Sequence, residues 1–189
     1  MASWSWSRIA ARMRVPLGFA FAAGYFWFAA PTWLSIAGGA ICSLIGLAVR
    51  AVASGHIRKN SSLATSGPYA YTRNPLYLGS VLMALGFVIA ARNWWIGMAA
   101  LVMFLVIYIP VIKAEEVYLR GMFPDYAEYA ANVPRLFPRL APYRTTNSDD
   151  TGLGSFSREL YLKHREYNAA LGSGLMIGAL ILKMVLGAH

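Results

Sequence analysis

The sequence predicts an all-α fold: a polytopic integral membrane protein of about five transmembrane helices with a cytoplasmic pocket. Three observations carry that prediction. Hydrophobic residues make up 58% of the 189 and charged residues only 13%, against roughly half and a quarter in a soluble domain. Mean hydropathy is +0.48. Apolar runs long enough to cross a bilayer alternate with short basic segments. So apolar a chain has ample surface to bury, which excludes disorder. One cysteine, Cys42, excludes a disulfide framework and a Cys-based zinc cluster.

The elements follow from charge and punctuation. No charged residue stands between Val15 and Val49, and Pro31-Thr32 interrupts that run, which predicts helices over 15–30 and 33–52 joined by a tight turn. The first is short enough to resemble a signal-peptide core, but a second apolar helix follows at once, so cleavage is not expected. After a polar stretch over 54–74, a second hairpin is predicted over 75–91 and 94–112, broken at Arg92-Asn93. Residues 113–144 are polar and aromatic, with prolines at 124, 134, 138 and 142. Residues 147–152 read as a linker, Ser155 as the N-cap of a charged helix, and 168–187 as a fifth span. The whole of 1–189 is expected to be a single membrane domain, with 147–189 an additional helix and span.

The net charge of +9 does not indicate nucleic acid. All eight acids lie between Glu115 and Glu166, while the basic residues cluster between apolar runs. Arg8, Arg12, Arg14, Arg50, Arg58, Lys59, Arg73 and most later cations flank one side, and only Arg92 and Lys183 the other. The N-terminus and both long loops are therefore expected in the cytoplasm and the C-terminus outside. In the last helix Ala170, Gly174 and Gly178 form a small-residue stripe, suited to a homodimer seam or to close packing within one chain.

Chemistry concentrates in two cytoplasmic blocks. The first runs from Ser61 and Ser62 through Leu63, Ala64, Gly67-Pro68-Tyr69 and Arg73 to Asn74, Pro75, Leu76, Tyr77 and Gly79. Asn74 before Pro75 is pushed out of helical geometry, so a helix should start at Pro75. Its N–H groups suit a carboxylate. The same residues also read as an interfacial aromatic belt with an arginine anchor. The second block is Lys113-Ala-Glu115-Glu116. On a helix Glu115 lines up with Tyr108, Leu119 and Met122 on an apolar face, and Glu116 is rotated by about 100° from it. Glu115 is thus expected on the protein-facing side, either as a functional carboxylate or as the partner of Lys113, Arg120 or Arg73. His56 has no second histidine or acid at ligand spacing, so no metal site is expected. No hydrolase, P-loop or dinucleotide motif occurs.

Together the blocks resemble the isoprenylcysteine carboxyl methyltransferase family and the related membrane phospholipid methyltransferases. The matching pieces are Gly67-Pro68-Tyr69, Arg73-Asn74-Pro75-Leu76-Tyr77, Gly79, Glu115-Glu116, Tyr126-Ala-Glu-Tyr129 and Val133-Pro134-Arg135, within residues 54–140. The resemblance implies a cofactor-binding core there, with S-adenosylmethionine as methyl donor and a lipophilic acceptor entering from the bilayer. By position it implies cofactor contacts from Ser61, Ser62, Leu63, Ala64, Tyr69, Asn74, Pro75, Leu76, Tyr77 and one of Glu115 and Glu116. Asn74 stands where the family usually has histidine. Val111 stands near the arginine that places a substrate carboxylate in prenylcysteine enzymes, with Lys113 the nearest cation.

Methyl transfer from a sulfonium is an in-line displacement that needs no metal, only orientation and desolvation. Carboxyl methylation is the preferred expectation, with Arg73 and Lys113 as catalytic candidates to place an ionised acceptor. An amine acceptor would instead use Glu115 or Glu116 to take its proton. A nicotinamide-dependent membrane reductase and a non-enzymatic scaffold are the rivals. Helix geometry further predicts that Glu115→Gln weakens cofactor binding more than Glu116→Gln.

Overall fold

The computed structural model describes residues 6–57, 62–144 and 156–187, whose regular elements are all helices with no strand among them. Helices α1 (Trp6–Phe28) and α2 (Trp33–Ser54) form the first hairpin. The break at Pro31-Thr32 is a capping box: Ser35 N–H donates to the Thr32 hydroxyl, and Thr32 N–H donates back to Ser35 Oγ at 2.9 Å. Helix α1 begins well before residue 15 and takes the basic N-terminal segment into its first turns. Pro16 is tolerated inside it.

The second hairpin joins α3 (Pro75–Ala91) to α4 (Trp94–Met103). Arg92 closes α3 with a left-handed φ of 50°, and the Asn93 side chain accepts from Trp95 N–H at 3.0 Å to open α4. Helix α4 does not stop near residue 112. It runs through a π turn (Phe104–Tyr108) into α5 (Ile109–Met122). Pro110 explains the π turn, because it has no N–H for the carbonyl one turn earlier and its ring crowds that group. The continuous helix Trp94–Met122 has 29 residues, about 43 Å at 1.5 Å per residue. About 20 residues suffice to span, so its last turns, with Glu115 and Glu116, stand beyond the apolar stretch.

Among the described residues, three helices are long and apolar enough to cross a membrane: Trp33–Ser54, Trp94–Met122 and Tyr167–Val185. Pro16–Phe28 and Pro75–Ala91 are shorter apolar helices, so the expected count of five exceeds what length alone supports.

Helices α2 and α3 make the tightest contact of the fold. Gly39 and Gly46 face Gly86 and Gly79; a Cβ on Gly46 would lie 2.6 Å from Gly79 O. Backbones approach this closely only where side chains are absent. Ser35 and Ser43 hydroxyls and the Cys42 thiol donate across the seam to carbonyls of Ala90, Met83 and Leu82. A core of Tyr25, Ala29, Ile36, Ala90, Ala91, Ile96 and Leu180 lies at the far end.

Beyond α6 (Tyr126–Asn132), the C-terminal segment differs from its sequence reading. Residues 145–155, which include the expected linker and the Ser155 cap, lie outside the described residues. Helix α7 (Arg158–Lys163) is capped by Ser157, whose hydroxyl accepts from Leu160 N–H. Arg165, with φ 54°, breaks the chain before α8 (Tyr167–Val185), so the charged helix does not run straight into the last one. The small-residue stripe of α8 meets open space among the described residues: a Cβ on Gly174 or Gly178 has no atom within 4 Å. Lys183 of α8 is buried, and its ammonium donates to Phe26 O, Trp27 O and Ala29 O at 2.9, 3.0 and 2.7 Å.

Candidate functional site

The two sequence blocks meet in one place. The 3-10 turn Gly67–Ala70, the first turn of α3 and the last turns of α5 enclose a pocket. Its walls include Ser62, Leu63, Ala64, Tyr69, Arg73, Asn74, Pro75, Leu76, Tyr77 and Glu115. Ser61 lies outside the described residues. Lys113 is exposed and is not among the lining residues, so the candidate pair Arg73 and Lys113 is not brought together. Glu116 is also absent from the lining. Residues that the sequence reading did not assign complete the wall: Ile57, Tyr118, Leu119, Phe123, Tyr126 and Tyr129. The helical spacing of Glu115, Leu119 and Phe123 carried a signal for two of them.

The loop over 69–74 is tied to the loop over 133–143. Arg73 N–H donates to Pro134 O at 2.9 Å, Arg139 N–H to Tyr71 O at 3.0 Å and Tyr143 N–H to Ala70 O at 2.9 Å. The Thr72 hydroxyl bonds the carbonyls of Arg135 and Leu136, and Asn74 Nδ2 donates to Arg135 O at 2.9 Å. Asn74 therefore straps two loops together and does not cap α3 with its side chain. The Tyr129 phenol donates to Tyr69 O at 2.7 Å.

The two glutamates divide their roles, and not as a helical wheel predicts. Glu116 is the more buried. It accepts from Arg135 Nε and Nη2 at 2.9 and 2.7 Å, and lies 3.3 Å from Arg73 Nη1. Glu115 is exposed at the pocket, where it accepts from the Tyr77 phenol at 3.1 Å. The expected alignment of Glu115 with Tyr108 holds, since the Tyr77 ring meets Tyr108 edge-on at 6.1 Å. The expected burial does not: Arg135 arrives from a distant loop and draws Glu116 inward.

Two buried donors in the wall, the Tyr69 hydroxyl and Arg73 Nε, have no hydrogen-bond partner among the described residues. Burial, then the charge of Glu115, pushes the Tyr69 phenol far above its ordinary value, so it remains a donor throughout the physiological range. An unmet buried donor costs about 1–3 kcal/mol, and a ligand acceptor would recover that cost. Among the described residues no group of three or more His, Cys, Asp or Glu side chains could hold a metal ion.

A second, larger and mostly apolar pocket of about 650 Å³, partly open at the surface, lies among α1, α3, α4 and the π turn, with Arg50 of α2 and Ala169 of α8 at its border. Tyr108 lines it, Tyr77 lines the first pocket, and the edge-on pair stands between the two.

The sequence pattern of the family described as phospholipid methyltransferase matches residues 19–126. The chain belongs to that family. The match spans α1 to the start of α6 and so includes the α2–α3 seam and most of the pocket wall. Among curated proteins, the chain is similar to the cobalt-zinc-cadmium resistance protein CzcN of Cupriavidus metallidurans, with 37% identity over 103 residues, 54% of this chain and 48% of that one. It is also similar to the nickel-cobalt-cadmium resistance protein NccN of Alcaligenes xylosoxydans xylosoxydans, with 35% identity over 105 residues, again 54% and 48%. The matched stretch thus spans about half the length of these relatives. No solved structure matches the chain.

Proposed function

We propose that the protein is an S-adenosylmethionine-dependent membrane methyltransferase acting on a lipophilic acceptor, with the active site on the cytoplasmic side. The observation that carries this reading is the pocket in which Tyr69, Tyr77 and Glu115 converge at the first turn of α3, in a chain of the phospholipid methyltransferase family. The residues suit the cofactor. The unpartnered Tyr69 hydroxyl can donate to its carboxylate, Glu115 can accept from ribose hydroxyls or the amino group, and tyrosine faces attract a sulfonium cation. When bound, the cofactor supplies an electrophilic methyl group on a cationic sulfur.

The apolar cavity behind the Tyr77–Tyr108 pair supports a lipophilic acceptor. For a carboxylate acceptor, which becomes a neutral ester with no proton to move, Arg73 Nε is a buried donor of the wall with no partner among the described residues. For an amine acceptor, the attacking nitrogen must lose a proton, and Glu115 is the carboxylate placed to take it. The exposed position of Lys113 and the family's own description favour the amine, whereas the prenylcysteine resemblance favours the carboxylate. A role in metal resistance, suggested by the names of the two relatives, would act through the methylated lipid.

The test is transfer of labelled methyl from S-adenosylmethionine in lipid vesicles. Vesicles of phosphatidylethanolamine and vesicles carrying a farnesylcysteine are compared, with Glu115→Gln as control. Label in an organic-extractable product, lost in the variant, supports the reading. No transfer to either class, together with binding of NADPH, would move the protein to the reductases.

A further inference from the structure

We infer that Glu166, at the start of α8, is a positioning residue for the cofactor pocket and acts through Arg50 on the first turn of α3. The inference rests on the cofactor reading above. Arg50 lies near the end of α2 and divides its donors between two elements. Nε and Nη2 grip both oxygens of Glu166 at 2.8–3.0 Å, across 116 residues of sequence. Nη1 turns the other way and donates to Ser80 Oγ and, at 3.4 Å, to Leu76 O. Leu76 and Ser80 are one turn apart at the start of α3, and Leu76 is a pocket wall residue beside Asn74, Pro75 and Tyr77. One guanidinium therefore links the C-terminal segment to the turn that the cofactor would face.

Three features make this link specific. The stem of Arg50 lies in the space left by Gly79, where a Cβ would sit 2.6 Å from Arg50 Cγ. The stem therefore passes close to α3, where Nη1 reaches Leu76 O and Ser80 Oγ. Both partners are largely shielded, with side chains 22% and 12% exposed, so water screens the pair far less than a surface pair. The C-terminal segment is also fastened to the end of α2 a second time: Ser157 N–H donates to Gly55 O at 3.0 Å, and the Phe156 ring lies against Gly55. Glu166 is thus presented to Arg50 by an anchored chain. On its far side Arg50 borders the apolar cavity. Without its counter-ion the guanidinium loses the partner that fixes its direction, and the pull on Leu76 and Ser80 loses its anchor.

The test measures binding of S-adenosylhomocysteine by calorimetry to full-length protein in detergent, with thermal melting of each variant. Glu166→Gln is expected to bind at least about five-fold more weakly, the lower end of ordinary coupling between sites. Glu159→Gln on the neighbouring helix α7 should bind like the parent. The exchange Arg50→Glu with Glu166→Arg restores the pair but not the bonds to Leu76 and Ser80. It should recover the melting temperature while leaving affinity low. If Glu166→Gln does not fold, Glu166→Asp keeps the charge at shorter reach and should fold with intermediate affinity. Parent-like affinity in a folded Glu166→Gln or Glu166→Asp, or full recovery of affinity in the exchange, overturns the inference. A folded parent that ignores S-adenosylhomocysteine overturns the cofactor reading itself, a different result because there the parent is silent.

Discussion

The Tyr77 phenol donates to Glu115 Oε2 at 3.1 Å, joining the first turn of α3 to the last turns of α5 across the mouth of the pocket. Each of these residues lines the pocket, and the bond fixes the spacing between its two walls. Glu115→Gln should therefore weaken S-adenosylhomocysteine binding more than Glu116→Gln, when both are measured by calorimetry on folded protein. A removed charge-assisted bond is worth about 1.5–3 kcal/mol, roughly ten-fold or more in affinity. Equal losses, or the reverse order, would remove Glu115 from the site.

Glu116 belongs to the scaffold. It holds Arg135 and Arg73 together, and so fastens the loop over 133–135 to the loop that carries Tyr69. Glu116→Gln is expected to lower the melting temperature, and Glu115→Gln, at an exposed carboxylate, is expected to leave it nearly unchanged. Arg135 is half exposed, so the cost of Glu116→Gln is set below that of a fully buried pair, at about 1.5–3 kcal/mol for lost hydrogen bonds to a charged group.

Tyr69→Phe separates binding from folding. The hydroxyl is buried without a partner among the described residues, so its removal should leave stability unchanged or raise it. Affinity for S-adenosylhomocysteine should nevertheless fall, because the donor facing the ligand is gone. Unchanged affinity in melting-competent Tyr69→Phe would show that the hydroxyl does not meet the cofactor.

Much of this was legible in the sequence, and the reasons are local. Pro31-Thr32, Asn74-Pro75 and Arg92-Asn93 break helices because proline, caps and left-handed turns act within a few residues. The pocket residues of the first block were legible through motif order, since Tyr69 and residues 74–77 do lie side by side. What escaped depends on partners far away in the chain. No wheel projection of α5 shows that Arg135 draws Glu116 inward, or that Arg50 meets Glu166. The glycine seam carries an equal seven-residue spacing, Gly39 to Gly46 and Gly79 to Gly86, a pattern no different in kind from the stripe in α8, which meets open space among the described residues.

The seam gives a steric prediction. At Gly46 a Cβ would lie 2.6 Å from Gly79 O and 2.7 Å from Met83 N, and backbone cannot move aside as a flexible side chain does. Gly46→Val should destabilise by roughly 1–3 kcal/mol or more, read as a lower melting temperature in detergent. Gly174→Val, facing open space, should not.

Lys183 explains a cation within an apolar helix. Its ammonium satisfies three carbonyls at the end of α1 that no further helical turn could meet. Lys183→Met keeps the apolar stem and removes these bonds, and should cost about 1.5–3 kcal/mol, again visible on melting. Cofactor affinity should change little, since the contact lies at the opposite end of α1 and α8 from the pocket.

The central claim, a cofactor pocket between α3 and α5, is tested most directly by calorimetric titration of S-adenosylhomocysteine into detergent-purified protein, with NADPH as control. The account predicts saturable heat with S-adenosylhomocysteine, lost in Glu115→Gln or Tyr77→Ala, and none with NADPH. Silence with S-adenosylhomocysteine in folded protein, whether or not NADPH binds, would contradict it.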